Sequence, residues 1–184
     1  MTRIVTFTDC ETTGLLDKDH RIIELTCGMF DLDTEAEVKM ATYRIDPLRR
    51  IDPRAQKVHG ITNDDVAGKP TFDVIAPKLV TAFNASTLIV AHNGLTFDKP
   101  FYEMECARVG QRLPARQWFD TCEEGRGATP YGTIPSLKLL CQCLDVEYDD
   151  TQAHGAEYDT RILAQCFFEG RRIGMFPSFE RLAA

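Results

Sequence analysis

Acidic residues follow directly on apolar, strand-like runs at two well-separated places in this chain. The run over residues 4–7 leads into Asp9-Cys10-Glu11, and the run over residues 88–90 leads into a segment that ends in Asp98. A third acidic segment, residues 154–159, lies near the C-terminal end. A fold that joins these segments brings several carboxylates to one point, where they repel one another unless cations are present. The pattern therefore indicates a bound divalent metal.

The length and composition indicate one globular domain. The chain has 184 residues, of which 43% are apolar and 27% are charged, and these are ordinary values for a domain with a substantial core. We therefore expect a single domain over residues 1–184. No apolar run approaches the roughly 20 residues that span a bilayer. The first residues pass directly into a strand pattern, so no signal peptide is expected.

The charge and the cysteines narrow the classes of function. A net charge of −7 argues against a protein that coats nucleic acid, which would be basic, but it leaves open an enzyme that binds phosphate groups partly through metal. The seven cysteines include no CxxC pair, and this spacing does not favour zinc. We expect a reduced, intracellular protein of the cytoplasm.

The sequence pattern of the first part of the chain predicts three strands followed by two short helices. Residues 3–9, 21–31 and 40–46 are β-rich and are separated by polar turns, which favours an antiparallel meander. Short helices are expected around residues 54–58 and 63–66.

A longer helix and a buried strand are expected next. Thr71 is suited to cap a helix that runs to about residue 84, although Pro77 is expected to kink or shorten it. Residues 87–92 form a short apolar run without alternation, which is typical of a strand buried on both faces.

The last part of the chain alternates between helix and strand. Asp98 is a plausible N-cap, and Pro100 fits the first turn of the same helix. A strand is expected at 118–121, and helical periodicity covers 136–144 and 157–168. Strands first and then alternation indicate an α/β layer fold with a mixed sheet.

The first acidic motif is residues 9–14, Asp-Cys-Glu-Thr-Thr-Gly. If the strand includes Asp9 and Glu11, both side chains leave the same face. The alternative is that the strand has ended by Asp9 and that both acids are solvated. Gly14 permits a tight turn, and the neighbouring Thr hydroxyls and backbone amides are suited to contact a nucleotide.

The second and third motifs each combine a histidine with an aspartate. His92-Asn93 precedes Phe97-Asp98, with three residues between Asn93 and Phe97. Phe97 is suited either to the core or to base stacking, and His92 is interpreted as structural. His154 and Asp159 are about 140° apart on a helix, so His154 is expected on a loop, with Asp159 in the first turns of the helix that follows.

These motifs, in this order, resemble the DnaQ-like 3′→5′ exonucleases, the DEDDh branch of the ribonuclease H-like nucleases. Residues 58–62, 119–121 and 136–140 also resemble segments of that family, so the likeness runs from about Ile4 to Phe168. The resemblance implies a ribonuclease H-like three-layer α/β fold, with a mixed five-stranded sheet flanked by helices.

The resemblance also implies an activity and a role for each motif residue. The expected enzyme is a metal-dependent 3′→5′ exonuclease that hydrolyses single-stranded DNA, RNA or both to nucleoside 5′-monophosphates. Two divalent cations, Mg²⁺ or Mn²⁺, would assist the reaction, and His154 would act as general base. The implied metal ligands, which with His154 make up the catalytic set, are Asp9, Glu11, Asp98 and Asp159.

The same resemblance suggests residues that contact the substrate. Leu15 is expected either to wedge against the terminal base or to pack inside the protein. Together the expected contacts are Thr12, Thr13, Gly14, Leu15, Asn93 and Phe97.

The predicted exonuclease activity is compatible with DNA replication or repair and with RNA processing. The partner is expected to be a nucleic acid 3′ end, with a polymerase or a second copy of the chain as further candidates. A free-standing nuclease or a minimal domain is favoured. The rival hypothesis is a catalytically silent nucleic-acid-binding or scaffold module on the same fold, which would be expected to lack one of the five catalytic residues.

Overall fold

A single five-stranded sheet organises the protein. The computed structural model describes residues 3–177, except for the side chain of Asp17. The strand order across the sheet is β3-β2-β1-β4-β5. The strands are β1 (Ile4–Thr12), β2 (Ile22–Asp31), β3 (Glu37–Arg44), β4 (Leu88–Ala91) and β5 (Gln117–Asp120).

The strand directions explain how distant motifs meet. β1 pairs antiparallel with β2, and β2 pairs antiparallel with β3, so the predicted meander is confirmed. β1 also runs parallel to β4, which runs parallel to β5, and the sheet is mixed as expected. Because parallel strands end at the same edge, the end of β1 lies beside the segment that follows β4. Asp9 and Glu11 therefore lie near the start of the next helix.

Helices cover both faces of the sheet. Phe7 on β1 packs edge-on against Phe167, in an apolar cluster between the sheet and the last two helices. Ile89 and Leu25 belong to a second cluster on the opposite face. This is the expected three-layer arrangement. The helices are α1 (Pro53–His59), α2 (Asn63–Val66), α3 (Phe72–Ala85), α4 (Asp98–Arg108), α5 (Thr121–Glu124), α6 (Leu137–Cys143) and α7 (Ala156–Arg172).

Two strands differ from their expected bounds. β1 continues through Glu11 to Thr12, so the alternative in which it ends by Asp9 is wrong. It continues because Glu11 still pairs with Glu24 of β2. β3 begins at Glu37 rather than at residue 40, since its pairing with β2 is already established there, although its first residues lack an apolar pattern.

Two helices also differ from expectation. Pro77 lies inside α3, which nevertheless reaches Ala85. Its ring is exposed, so the missing N–H donor falls on the solvent side and does not shorten the helix. The N-cap of α4 is Phe97 rather than Asp98, which is the first helical residue. Thr71 does occupy the N-cap of α3, but its hydroxyl donates to the Asp73 carboxylate instead of capping the backbone.

The cysteines were expected to be reduced, and no apolar run in the sequence was long enough to span a bilayer. All seven cysteines, which lie within the described residues, carry free thiols. Across residues 3–177, no helix is both long and apolar enough to cross a membrane.

Candidate active site

Three of the predicted residues form a compact cluster at the C-terminal edge of β1. Glu11, His154 and Asp159 each offer a ligand atom, and these atoms all lie within 4.8 Å of one another. Asp9 and Asp98 fall outside this set but are close enough to interact with it electrostatically. Burial raises the pKa of Asp9 well above its usual value, and the carboxylates of Asp98, Glu11 and Asp159 raise it further. The structure thus brings all five predicted catalytic residues together.

The other carboxyl groups of the site also have raised pKa values. Burial, with the carboxylates of Asp159 and Glu24, raises the pKa of Glu11 to about 8. Burial raises the pKa of Asp98 to about 7, and it also raises the pKa of Asp159. Each of these shifts reflects the cost of placing negative charge in a poorly hydrated space, and neighbouring acids add to the shift of Glu11. At neutral pH a bound cation would favour the ionised form of these groups.

Buried oxygen atoms without partners show where a cation would fit. Asp9 Oδ2, Asp98 Oδ1 and Asp159 Oδ1 are buried and, within the described part of the chain, accept no hydrogen bond. Buried polar atoms are normally satisfied, because leaving one unpaired is costly. Carboxylate oxygens are the donors that Mg²⁺ and Mn²⁺ prefer. The donor set therefore fits a hard divalent cation.

A hydrogen bond at the start of α7 joins His154 to Asp159. His154 lies on the loop before α7, in the left-handed region at φ 62°, and Asp159 lies in the first turn. The backbone N–H of His154 donates to Asp159 Oδ2 at 3.0 Å. The imidazole remains exposed. This is the loop-and-helix placement that the spacing predicted.

Glu24 is a buried acid beside the site that sequence reasoning missed. It lies opposite Glu11 in the β1–β2 register and opposite Arg44 in the β2–β3 register. Arg44 pairs with it at 2.6 Å, and Ala156 N donates to it at 3.2 Å. Glu24 therefore fastens the first residue of α7 to the sheet. No local sequence pattern reveals this role, which depends on the strand register and on how α7 packs on the sheet.

Asp120 organises the loop that leads to Asp98. Its carboxylate accepts the backbone N–H groups of Asn93 at 2.8 Å and Leu95 at 3.0 Å. The Asn93 side chain accepts a hydrogen bond from the Thr96 hydroxyl at 2.6 Å. Asn93 therefore supports this loop and does not line the cavity beside Glu11, which is described below.

His92 has the structural role that was expected. Its Nδ1 lies 3.0 Å from the Thr121 hydroxyl, and its Nε2 lies 3.1 Å from the Pro135 carbonyl oxygen. Both ring nitrogens are thus engaged in contacts that join β4 to the segments after β5.

A cavity of about 430 Å³ opens beside Glu11. Its volume is in the range of small-ligand sites. Leu15 is 69% exposed, so the wedge interpretation fits it better than internal packing. Phe97 lines the cavity and also packs against Phe101 at 5.1 Å. The wall further includes Thr12, Gly14, Val58 and His59.

The two threonines of the first motif are bonded within the protein. The Thr12 hydroxyl donates to the Gly14 carbonyl at 2.7 Å. Thr13 is fully buried, and its hydroxyl lies 2.9 Å from His20 Nδ1 and accepts from Arg21 N. A Cβ on Gly14 would lie 2.3 Å from the His20 ring, so this close approach requires glycine. Thr13 therefore shapes the turn from inside instead of facing the cavity.

The fold and the carboxylate site define a ribonuclease H-like protein with a candidate metal centre. The exonuclease family RNase_T matches residues 6–167. DNA polymerase III subunit epsilon of Rickettsia prowazekii is 32% identical over 86% of this chain and 70% of its own length. DNA polymerase III PolC-type of Mycoplasma genitalium is 27% identical over 87% of this chain, which spans only 11% of that relative.

A solved structure supports the same fold. Escherichia coli exonuclease I in complex with a dA16 oligonucleotide superposes with a TM-score of 0.81 at 16% identity, over 98% of this chain and 42% of the other. The chain belongs to the RNase_T exonuclease family, and its DnaQ-like motifs agree with that membership. The expected fold and the expected family are thereby confirmed.

Proposed function

We propose that the protein is a metal-dependent 3′→5′ exonuclease that removes nucleoside 5′-monophosphates from single-stranded DNA. The observation that carries this proposal is the set of buried, unpartnered carboxylate oxygens beside a cavity of nucleotide size. DNA is preferred over RNA because the relatives above are named as parts of DNA polymerase III. RNA remains an outcome of the test.

The proposed metal ligands are the four carboxylates of the site. Asp9, Glu11, Asp98 and Asp159 would hold two divalent cations, Mg²⁺ or Mn²⁺. Such ions supply charge neutralisation at the phosphate and activation of a water molecule.

The remaining residues bind the substrate and move the proton. His154 would take the proton of the attacking water, and the position of its exposed ring beside Glu11 and Asp159 supports this role. Leu15 and Phe97 would pack against the terminal base, a contact that reads all bases alike. The backbone of residues 12–14 would follow the terminal sugar and phosphate.

A cleavage time course tests this function. Single-stranded DNA and RNA labelled at the 5′ end would be incubated with Mg²⁺, with Mn²⁺ and with EDTA. The expected result is a ladder that shortens from the 3′ end only with metal, and faster for DNA. Binding without cleavage under all conditions would instead support the silent binding module.

Replacement of His154 tests the base. We expect His154→Ala to lower turnover by a factor on the order of 10²–10⁴, with partial recovery when imidazole is added. Gln152→Ala, an exposed change in the same loop, is the matched control. Equal turnover of the two variants near neutral pH would remove His154 from this role.

Partners are a separate part of the proposal. A DNA polymerase and a second copy of this chain are the two protein partners that we propose. Light scattering during size-exclusion chromatography distinguishes a monomer from a dimer, and co-elution with a replicative polymerase subunit tests the other partner.

A further inference from the structure

Four exposed cations lie in the wall of the cavity or in the chain segment that contributes Arg54 to that wall. Lys18, Arg50, Arg54 and Lys57 are exposed, and none of these side chains has a hydrogen bond or ion pair within the described residues. We call these four residues the basic ridge. Arginines elsewhere are mostly neutralised by a carboxylate: Arg3, Arg21, Arg44, Arg108, Arg126, Arg161 and Arg172.

Backbone contacts hold the ridge against the candidate site. The Arg49 guanidinium donates to the carbonyl oxygens of Lys18, at 3.1 Å, and of Asp19. Asp52 N donates to the Thr13 carbonyl at 2.9 Å, which ties the start of α1 to the end of β1. Lys18 and Arg54 line the same cavity as Glu11. The ridge is therefore continuous with the place where a terminal nucleotide would bind.

Residues 49–57, which contain three of the four ridge cations, carry a net positive charge, opposite in sign to that of the whole chain. Residues 49–57 contain four cations, and Asp52 is the single acid among them, although the chain carries a net charge of −7. The groove between β3 and α7 has the reverse character. Its cations Arg161 and Arg172 are already paired, and its acids are Glu35, Glu37, Asp145, Glu147 and Glu169.

Apolar side chains are exposed at both ends of the segment that carries most of the ridge cations. Leu48 is 74% exposed and Val58 is 58% exposed, one on each side of the ridge segment in sequence. Cations next to exposed apolar groups are typical of surfaces that bind single strands, where phosphates contact the charges and bases contact the apolar side chains.

We propose that the basic ridge binds the phosphodiester backbone of the nucleotides on the 5′ side of the terminal one. The substrate strand then leaves the cavity over α1 and avoids the acidic groove between β3 and α7. This inference rests on the proposed function, since it assumes that the terminal nucleotide occupies the cavity.

Two substrates distinguish the contribution of the ridge to strand binding from the contribution of the catalytic residues to hydrolysis. One is a thymidine oligonucleotide of about twelve nucleotides, and the other is the p-nitrophenyl ester of thymidine 5′-monophosphate, which lacks upstream phosphates. The ridge variant is Arg50→Gln/Arg54→Gln/Lys57→Gln. The control is Lys39→Gln/Lys69→Gln/Arg112→Gln, which removes the same charge from exposed residues elsewhere.

The ridge variant should lose far more activity on the oligonucleotide than on the ester. The slope of log affinity against log salt is negative, and each lost phosphate contact reduces its magnitude by about 0.7 for a single strand. The loss of three contacts therefore reduces it by about 2. Between about 50 and 200 mM salt the wild-type advantage on the oligonucleotide should therefore shrink by roughly 15-fold. The control variant should keep the wild-type slope.

Two results would overturn the ridge assignment: equal salt slopes for the ridge and control variants, or equal losses on both substrates. Failure of the wild type to cleave either substrate would contradict the proposed function instead. In that case the salt dependence of oligonucleotide binding, measured by fluorescence anisotropy on the same variants, still decides whether the ridge binds the strand.

Discussion

Two buried acids on α4 have opposite surroundings. Glu105 is fully buried, and its carboxylate accepts two bonds from Arg21, at 2.6 and 2.9 Å, and one from Arg108 at 3.2 Å. Asp98, on the same helix, is 2% exposed, and one of its oxygens accepts no hydrogen bond among the described residues. The protein therefore supplies cations to one acid and not to the other.

This difference separates a stabilising charge from a functional one. A buried carboxylate needs a partner in order to stay ionised. Glu105 has its partner in the chain, so it joins α4 to the start of β2. Asp98 has a pKa raised to about 7 by burial, and in our account its partner is a cation that is not part of the chain.

The largest expected effect is the loss of activity when Asp98 becomes neutral. Asp98→Asn should lower the rate of 3′-end cleavage by a factor on the order of 10³, because one anionic ligand is lost at the site of phosphate hydrolysis. Far-ultraviolet circular dichroism should remain unchanged. Glu103→Gln, an exposed change on the same helix, should keep wild-type activity, and equal rates for the two variants would contradict the account.

The next effect concerns stability. Glu105→Gln breaks a buried ion pair and should lower the free energy of unfolding by about 3 kcal/mol, as measured by urea denaturation. The exposed Lys99–Glu103 pair is worth at most about 1 kcal/mol, so Glu103→Gln serves again as control. Folded Glu105→Gln protein should still cleave DNA. Lost activity with intact stability would reverse the roles assigned to the two acids.

A smaller effect should appear in the pH dependence of melting. Glu11 and Asp98 have pKa values of about 8 and about 7 in the folded state, against about 4 in an unfolded chain. The folded state thus binds more protons, so the metal-free protein should lose stability as pH rises from about 5 to 8.

Mn²⁺ should counteract this loss, because the ionised carboxylates bind it. Its effect on the melting temperature should therefore be larger at pH 8 than at pH 6. Asp98→Asn should flatten the metal-free profile, whereas Glu103→Gln should leave it unchanged. A profile that rises with pH in the absence of metal would be the contrary result.

The sequence predicted the acids of the site better than it predicted their surroundings. Asp9 and Glu11 follow an apolar strand, and His154 precedes a periodic helix, so local patterns locate all three. The pairing of Arg21 with Glu105 joins residues 84 positions apart. No local pattern contains that contact, and Glu105 reads as an ordinary polar residue of a helix.

Loop and cap details were missed for the same reason. Asp98 is a residue type that commonly caps helices, but the loop before it is held by hydrogen bonds to Asp120, at the end of β5. In the sequence, Glu24 is a charged residue within an otherwise apolar strand pattern. Its contact with Ala156 depends on how α7 packs on the sheet. Such contacts are set by tertiary packing, which overrides local preference.

A calorimetric titration of the protein with Mn²⁺ at pH 8 tests whether Asp98 belongs to a metal site. We expect saturable binding of two ions by the wild type and by Glu103→Gln, with affinity reduced by about tenfold or more in Asp98→Asn. Equal binding by wild type and Asp98→Asn would contradict the claim that the unpartnered carboxylate of α4 belongs to a metal site.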